Sequence, residues 1–333
     1  MKTSVWMPAN LDACALYRMF LPHFYLAGSR FLPLQAKQHT SSEISAFDVV
    51  VVQRQCLPDN IKALELFKQM GMRIVFDLDD DLWSLPATNP AQKIFRALRE
   101  GLAEALRYAD LLTVSTSFLA TAARTALPSL RCDIAVIENA ISSDVFSDRH
   151  CWDDDNEDVV IGWGGSNSHG GDIGVAFEVL KELLECEPRV RLEFVGMRPP
   201  ASILKHPRVR IRPWVPIAQY AATLSTWAWD VMLAPLDSTR FNFSKSSIKQ
   251  LEAALTGAVC LASPLPNYVS FCGDDEMLKW TLCDTRKHWL EKMRALIADK
   301  AMRRELVRRA RASVATGYDM AARAEVWRAA VNG

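Results

Sequence analysis

The sequence predicts an α/β fold with two consecutive doubly wound domains. Its 333 residues exceed what a single hydrophobic core usually serves. Short apolar segments alternate with longer amphipathic stretches from end to end, and an acidic stretch without periodicity, CWDDDNED at residues 151–158, separates two such series. Apolar runs separated by helical patterns are typical of parallel strands buried on both faces, and an unpatterned polar stretch is typical of an interdomain linker.

The first series contains candidate strands and helices in alternation. The strands are residues 4–7 (SVWM), 48–53 (DVVVVQ), 73–78 (RIVFDL), 111–115 (LLTVS) and 134–139 (IAVIEN). The helical patterns lie near residues 13–27, 60–70, 92–109 and 117–126. This order predicts a parallel sheet with helices on both faces.

The second series repeats this organisation. Its strands are residues 159–163 (VVIGW), 191–196 (RLEFVG), 209–215 (VRIRPWV), 230–236 (DVMLAPL) and 258–263 (AVCLAS), with helices at 172–187, 217–226 and 245–256. We expect a first domain at residues 1–152 and a second at 153–319, with a final helix in 320–333 completing the first. Because doubly wound sheets bind ligands outside the carboxyl ends of their strands, the expected site is a cleft between the domains.

Composition narrows the classes of partner and compartment. Lysine plus arginine equals aspartate plus glutamate at 39 each, so no overall field draws the chain toward a polyanion. The cysteines are scattered without a C-x-x-C pair, which favours a reducing, cytoplasmic location over a disulfide framework or zinc site. Charged residues interrupt the apolar N-terminal stretch, so we expect no membrane span.

Arginines cluster in the helical tail that begins near Lys287. They are Arg303, Arg304, Arg308, Arg309 and Arg311. Two interpretations remain open: a solvated helix face, or a surface for peripheral contact with an anionic membrane or a polyanionic acceptor.

The segment LAPLDSTRFNFSKSSIKQLEAALTGAVCLAS, residues 233–263, carries the densest chemistry. It reads as strand, loop, helix and strand, and the Ser244 hydroxyl is predicted to cap the helix. Lys245, Lys249 and Glu252 would then share one helical face. Two ammonium groups near free helix N–H donors suit a phosphate group, and the glutamate suits the vicinal hydroxyls of a ribose. The alternative is an exposed helix with an ordinary Lys–Glu pair.

The pattern F-N-x-x-K-S-x-x-K-x-x-E-A-A-x-x-G followed by an apolar strand resembles glycosyltransferase family 4, the group 1 glycosyl transferases. The resemblance implies the GT-B fold, in which two Rossmann-like domains face each other across a cleft. It also implies a nucleotide-sugar donor, expected to be a UDP- or GDP-sugar, and no other cofactor. Glu252 matches the family's ribose-binding glutamate, and Ser246 lies in the donor-binding segment. Ser244 stands where the family has a first glutamate that contacts the sugar, so the sugar stays unassigned.

Other segments follow the family's order. VVIGWGGSNSHGGDI, residues 159–173, offers Gly164, Gly165 and Ser166 for close backbone approach to the donor, and His169 where the family has a basic residue that reaches the diphosphate. The loop RIRPWVP, residues 210–216, resembles the one that reads the nucleotide base. There Trp214 could stack on the base and the Val215 backbone could bond its edge, or Trp214 could be a core residue. Gly196 resembles the family's close approach to the nucleoside.

In the first domain we expect acceptor-side residues. Tyr17 and Arg18 are predicted to open or line the first helix, and Arg54 follows a strand. FDLDDDLW, residues 76–83, places Asp79 and Asp80 beyond another strand's carboxyl end. A metal assignment for Asp77, Asp79, Asp80 and Asp81 is rejected, because the resembled fold neutralises diphosphate with lysines and helix ends. One carboxylate orienting or deprotonating the acceptor hydroxyl, and capping of the next helix, are both open.

The sequence therefore predicts a metal-independent glycosyltransferase that by analogy retains anomeric configuration, a hexosyl- or pentosyltransferase. Charge builds on the leaving diphosphate, so Lys245 and the loop holding His169 are the expected catalytic groups. The acceptor is a glycan, a lipid-linked compound or a small molecule. The alternatives are a phage-type enzyme that modifies hydroxylated bases in DNA, and a glycosyltransferase-like binding subunit without turnover.

Overall fold

The computed structural model describes residues 2–33, 35–86, 89, 92–147, 157–165 and 171–333. The chain divides into two compact units. Unit 1 comprises Met1–Ser142, Phe243–Ser246 and Tyr318–Gly333, and unit 2 comprises Ser143–Asn242 and Ser247–Gly317. Most of the expected linker at 151–158 lies outside the described residues, as does the proposed boundary at 152 and 153.

Unit 1 contains a parallel sheet. Its strands are β1 (Ser4–Met7), β2 (Ser29–Phe31), β3 (Val49–Gln53), β4 (Arg73–Leu78), β5 (Leu111–Val114) and β6 (Asp133–Val136), in the spatial order β2-β1-β3-β4-β5-β6. Each strand predicted in the first series is present. The edge strand β2 was not predicted, because its three residues carry no apolar run. The order reverses direction between β1 and β3, which defines the switch point of a doubly wound sheet.

Helices of unit 1 cover this sheet. They are α1 (Ala13–Ala15), α2 (Leu21–Phe24), α3 (Ser41–Ile44), α4 (Pro58–Gln69), α5 (Gln92–Ala105) and α6 (Ser117–Ala126), with a 3-10 turn at Ala36–Gln38. The helical pattern predicted near 13–27 is present from Ala13 to Phe24, although not as one regular α-helix. A π-helical turn, Leu16–Phe20, interrupts it. Pro22 follows at the start of α2 and has no N–H to donate to Arg18, so regular α-helical bonding cannot pass through this point.

The last helix, α16 (Met320–Asn332), belongs to unit 1. The Trp327 ring packs edge-on against Trp6 of β1 with the ring centroids 5.3 Å apart. The Lys2 backbone N–H donates to Asn332 Oδ1 at 3.1 Å. Ile141 forms a parallel bridge to Asp319, immediately before the helix. Buried aromatic contact and backbone bonding thus fix α16 in the unit that begins the chain.

Unit 2 contains a second parallel sheet. Its strands are β7 (Val159–Gly165), β8 (Val190–Gly196), β9 (Val209–Arg212), β10 (Val231–Ala234) and β11 (Val259–Ala262), in the order β11-β10-β7-β8-β9. Every predicted strand of the second series is present. The chain's first strand in this unit lies at the centre, so the switch point falls between β7 and β10. Two doubly wound α/β sheets confirm the predicted fold class.

Nine further helices belong to the second half of the chain as described. They are α7 (Gly174–Cys186), α8 (Ala201–Leu204), α9 (Ile217–Trp227), α10 (Arg240–Phe243), α11 (Ile248–Thr256), α12 (Pro266–Cys272), α13 (Glu276–Lys279), α14 (Arg286–Ala298) and α15 (Lys300–Ser313), and a π-helical turn, Val314–Tyr318, follows. The helical tail beyond Lys287 is confirmed. No described helix is long and apolar enough to cross a bilayer.

The predicted helix at 245–256 begins later than expected. α11 starts at Ile248, and its N-cap residue is Ser247, whose side chain makes no capping bond. Ser244 therefore does not cap the helix, and Lys245 does not share a helical face with Lys249 and Glu252. The reason is tertiary: the Ser244 carbonyl accepts a hydrogen bond from the Thr116 hydroxyl at 3.1 Å within unit 1. That contact holds the segment in a non-helical path.

Candidate functional site

In unit 2, the switch point places the carboxyl ends of β7 and β10 side by side. β7 ends at Gly164 and Gly165, so these glycines close the strand. Ser166 and His169 lie outside the described residues. Ligands of doubly wound sheets bind beyond such strand ends, which makes this edge the candidate site of the unit.

Hydrogen bonds of the Asn242 and Asp172 side chains join the segment that follows β10 to the segment that follows β7. Asn242 Nδ2 donates to Asp172 Oδ1 at 2.7 Å and to the Asp237 carbonyl at 3.0 Å. The Asp237 N–H also donates to Asp172 Oδ1, at 3.1 Å. Burial raises the pKa of Asp237, and the Asp172 charge acts in the same direction. Sequence reasoning missed Asp172. The signal that could have found it was the asparagine of the F-N pattern, Asn242, whose amide needs a hydrogen-bond partner when it is buried.

Gly196 and Trp214 form the neighbouring part of the edge. Gly196 has a φ of +88°, and a Cβ there would lie 2.3 Å from the Gly165 carbonyl oxygen and 3.1 Å from the Trp214 ring. Only glycine fits, because the backbones of β7 and β8 approach so closely. Trp214 is 70% exposed, which excludes the core interpretation. The indole therefore stands at the surface beside bare backbone, with Val215 next in the chain.

Glu252 lies on α11 with two charged or polar donors. Tyr220 Oη donates to Glu252 Oε1 at 3.0 Å, and Lys249 Nζ donates to Glu252 Oε2 at 2.8 Å. Glu252 is 2% exposed. Burial opposes protonation of Lys249, yet Glu252 and then Tyr220 raise its pKa above the ordinary lysine value. Lys249 is thus directed at the carboxylate, and Tyr220 is a member of the group that sequence reasoning missed.

In unit 1, the predicted acceptor-side residues Tyr17 and Arg18 are buried, at 3% and 0% exposure. Arg18 Nη2 donates to Asp77 Oδ1 at 2.6 Å, and its Nη1 donates to the Ile137 carbonyl and to Asn139 Oδ1. The guanidinium also lies over the Trp327 ring. The structure therefore places Arg18 in the core as the partner of a buried carboxylate, where it does not line an open surface.

Arg54, Asp80 and Lys245 form an ion-pair group at the carboxyl end of this sheet. Lys245 Nζ donates to Asp80 Oδ1 at 2.6 Å, and Arg54 Nη1 lies 3.5 Å from Asp80 Oδ2. Arg54 Nη2 donates to Asp12 Oδ2 at 2.8 Å. Arg54 has a φ of +49°, a left-handed conformation that costs a non-glycine residue about 1 kcal/mol or more.

Asp79 neighbours this group. Asn139 Nδ2 donates to Asp79 Oδ1 at 3.3 Å and to the Ser246 hydroxyl at 2.9 Å. Burial raises the pKa of Asp79, and the charges of Asp80 and Asp77 add to the rise while Arg18 opposes it. A carboxyl with a raised pKa is suited to accepting a proton. Asn139 was not predicted as a site residue, because the strand was expected to extend through 134–139, whereas β6 ends at Val136 and Asn139 lies beyond it.

The remaining acidic residues have structural partners. Asp77 accepts from Arg18 as described, and Asp81 Oδ1 accepts from the backbone N–H groups of Trp83 and Ser84 at 3.0 and 3.1 Å. Asp81 thus stabilises a turn. Among the residues that the structure describes, no group of three or more histidine, cysteine or acidic side chains is placed to hold a metal ion.

The arginine-rich helix α15 makes many internal contacts. Arg308 and Arg309 both pair with Glu305, and Arg309 also pairs with Asp275 at 2.9 Å. Arg311 donates to the Ala254 carbonyl at 2.9 Å. Arg303 is buried beside Asp230. Much of the positive charge is therefore balanced within unit 2.

Comparison with known proteins places these sites in a wider context. A family model described as Glycosyl transferase-like matches residues 176–329, which include Gly196, Trp214, Lys249 and Glu252. No curated protein matches the chain by sequence.

Several solved structures share the fold. Sucrose-phosphate synthase from Thermosynechococcus elongatus has 12% identity over 98% of both chains and a TM-score of 0.68. Anabaena HepE, solved with UDP and glucose, has 12% identity over 99% of both chains and a TM-score of 0.65. A Listeria monocytogenes protein described as a UDP-N-acetylglucosamine 2-epimerase has 14% identity over 99% of this chain and 96% of its own, with a TM-score of 0.56. The chain has the two-domain, Rossmann-like GT-B fold.

Proposed function

We propose that this protein is a glycosyltransferase that moves a sugar from a nucleotide-sugar donor to an acceptor hydroxyl. The observation that carries the proposal is the coincidence of two findings in unit 2. The Glycosyl transferase-like match spans Gly196, Trp214 and Glu252, and the same residues combine an exposed indole, bare backbone and an oriented carboxylate. An exposed indole is suited to stacking on a base, and an oriented carboxylate is suited to accepting from ribose hydroxyls.

The donor nucleoside is assigned to unit 2. The base stacks on Trp214 with the Val215 backbone at its edge, and the ribose hydroxyls donate to Glu252. The diphosphate lies at the backbone of Gly164 and Gly165, where β7 ends, and Ser166 and His169, which follow in the sequence, complete the proposed donor contacts. Anabaena HepE has been solved with UDP and glucose, which supports a UDP-sugar as the first donor to test, ahead of a GDP-sugar.

Stabilisation of the leaving group and transfer of the acceptor proton are assigned to the ion-pair group of unit 1 and to its neighbour Asp79. Lys245 supplies the positive charge that stabilises the departing diphosphate, where one such donor contributes about 3 kcal/mol of barrier lowering. Asp79, whose pKa is raised, orients or deprotonates the acceptor hydroxyl, and Asp80, which is also paired with Arg54, holds Lys245 in place. Burial raises the pKa of the Cys14 thiol well above its usual range, which disfavours the thiolate form that a nucleophile needs. We propose retention of configuration without a metal, as in glycosyltransferase family 4.

Two alternatives to sugar transfer are left for experiment to decide: a binding subunit without turnover, and isomerisation of a sugar nucleotide. The internal ion pairs of α15 give no support to the enzyme that modifies DNA or to a peripheral membrane contact. Ser244 stands where glycosyltransferase family 4 has its first glutamate, and this substitution is compatible with a binding subunit without turnover. The resemblance to a protein described as an epimerase adds isomerisation of a sugar nucleotide as a second candidate, because fold alone does not fix the reaction.

Lys245→Ala tests the proposal. We expect turnover of the donor to fall by about 10²- to 10³-fold with the donor KM little changed, because the charge matters most as the leaving group becomes negative. Lys93→Ala, an exposed lysine in the same unit, is the matched control and should behave as wild type. Steady-state kinetics on both purified variants decide the matter. Near wild-type turnover by Lys245→Ala would remove this lysine from the mechanism.

A further inference from the structure

We infer that Tyr220 is a positioning residue that, together with Lys249, sets the Glu252 carboxylate for the donor ribose and so makes the site selective for ribonucleotides over 2′-deoxyribonucleotides. The inference rests on the proposed function. It differs from the sequence-based expectation, in which Lys249 reached the diphosphate and Tyr220 had no role.

The geometry fixes the carboxylate from two helices. Tyr220 on α9 donates to Oε1 at 3.0 Å, and Lys249 on α11 donates to Oε2 at 2.8 Å. Lys249 Nζ also lies 3.5 Å from the Tyr220 hydroxyl, so the three polar groups form a closed set. Because each carboxylate oxygen has its own donor, rotation of the carboxylate about its last bond is restrained.

The charges around Glu252 favour the protonated forms of Tyr220 and Lys249, which are the forms that donate. Burial raises the pKa of Tyr220, and the Glu252 carboxylate adds to that rise. The pKa of Lys249 is also raised, despite burial, by Glu252 and Tyr220. Both side chains therefore keep their protons near neutral pH and remain donors. A carboxylate oxygen can accept more than one hydrogen bond, so a ribose hydroxyl adds to this arrangement without displacing either donor.

Position along the chain connects Tyr220 to the base. α9 begins at Ile217, three residues after the exposed Trp214, and Tyr220 lies in its first turn. Tyr220 thus joins the helix that follows the base-side loop to the carboxylate of α11. A ribose hydroxyl adds one hydrogen bond to this oriented, charged acceptor, and a 2′-deoxy analogue cannot form it, so the site discriminates against the analogue by the free energy of that bond.

The test compares ribonucleotides with their 2′-deoxy forms on the full chain. UDP, GDP and ADP, each with its 2′-deoxy counterpart, are titrated by calorimetry against wild type and Tyr220→Phe. We expect wild type to bind its preferred ribonucleotide about tenfold more tightly than the deoxy form, the effect of one hydrogen bond to a charged group. In Tyr220→Phe that ratio should fall to about twofold, through weaker ribonucleotide binding, since the deoxy form gains little from an oriented carboxylate.

Controls separate positioning from folding. Tyr108→Phe removes a tyrosine hydroxyl in unit 1 and should leave the ratio unchanged. Lys249→Gln removes the second donor and should also lower the ratio, which keeps the inference testable if Tyr220→Phe fails to fold. An unchanged ratio in a folded variant of either position overturns the inference alone. Failure of wild type to bind any of the three ribonucleotides overturns the proposed function and the inference with it.

Discussion

The ion pair between Arg18 and Asp77 changes the interpretation of Arg18 from an acceptor-side residue to a residue of the core. Both side chains are fully buried, and Arg18 donates to the carboxylate through Nε and Nη2. Removing one member of a buried pair leaves an uncompensated charge in the core, which is far more damaging than loss of the pair's own attraction. Each member of the pair therefore depends on the other in the core, and Arg18 also positions Asn139, which bonds Asp79.

Arg18→Ala should accordingly lower the free energy of unfolding by about 3–5 kcal/mol, because Asp77 is left buried and unpaired. Lys62→Ala is the matched control. It removes an exposed cation from its pair with Asp59 and should change stability by less than about 1 kcal/mol. Urea unfolding followed by circular dichroism measures both. If Arg18→Ala unfolds at the wild-type urea concentration and weakens acceptor binding instead, Arg18 is an acceptor contact after all.

At the scale of single residues, the sequence indicated which side chains belong to the candidate site better than it indicated which side chains they bond. The motif around Lys245, Lys249 and Glu252 was recognised, but Lys245 pairs with Asp80 and Lys249 pairs with Glu252. The Lys249–Glu252 pair is local, three positions apart on one helix, and the sequence allowed for it. Asp80 is 165 positions from Lys245, so the fold brings that pair together and no local pattern encodes it. Tyr220 illustrates this: nothing in IAQYAATL distinguishes its hydroxyl from any other half-buried tyrosine.

At the scale of elements, strands were predicted well because burial on both faces leaves an uninterrupted apolar run. RIVFDL was predicted with the bounds that β4 has. Helix ends were less predictable where tertiary contacts compete with local preference. The Ser244 carbonyl bonds Thr116, so α11 begins at Ile248, and Pro22 divides the first helical region.

The join of β7 and β8 gives a test at this scale. Gly196→Ala should destabilise unit 2 by about 1–3 kcal/mol and weaken donor binding, because a Cβ would meet the Gly165 carbonyl at a positive φ. Gly174→Ala is the control: no atom lies within 4 Å of its added Cβ, and it begins α7, so stability should hold or rise slightly. Equal stability and donor affinity in the two variants would contradict the close approach described here.

At the scale of the whole molecule, the sequence predicted two doubly wound sheets, and the structure confirms them. The path of the chain was harder to foresee. Phe243–Ser246 joins unit 1 although both flanking segments belong to unit 2. Such a crossing depends on contacts with residues more than a hundred positions away, such as Thr116 and Asn139, and composition carries no trace of it.

The central claim is sugar transfer from a nucleotide-sugar, and analysis of the reaction products by NMR tests it most directly. The protein is incubated with UDP- or GDP-sugars in the presence of EDTA and candidate acceptors, with Lys245→Ala alongside. We predict release of the nucleoside diphosphate together with a new glycosidic bond of the donor's own anomeric configuration, and loss of both in the variant. A sugar nucleotide recovered with an altered sugar and no glycoside, or no reaction with any donor, would contradict the account.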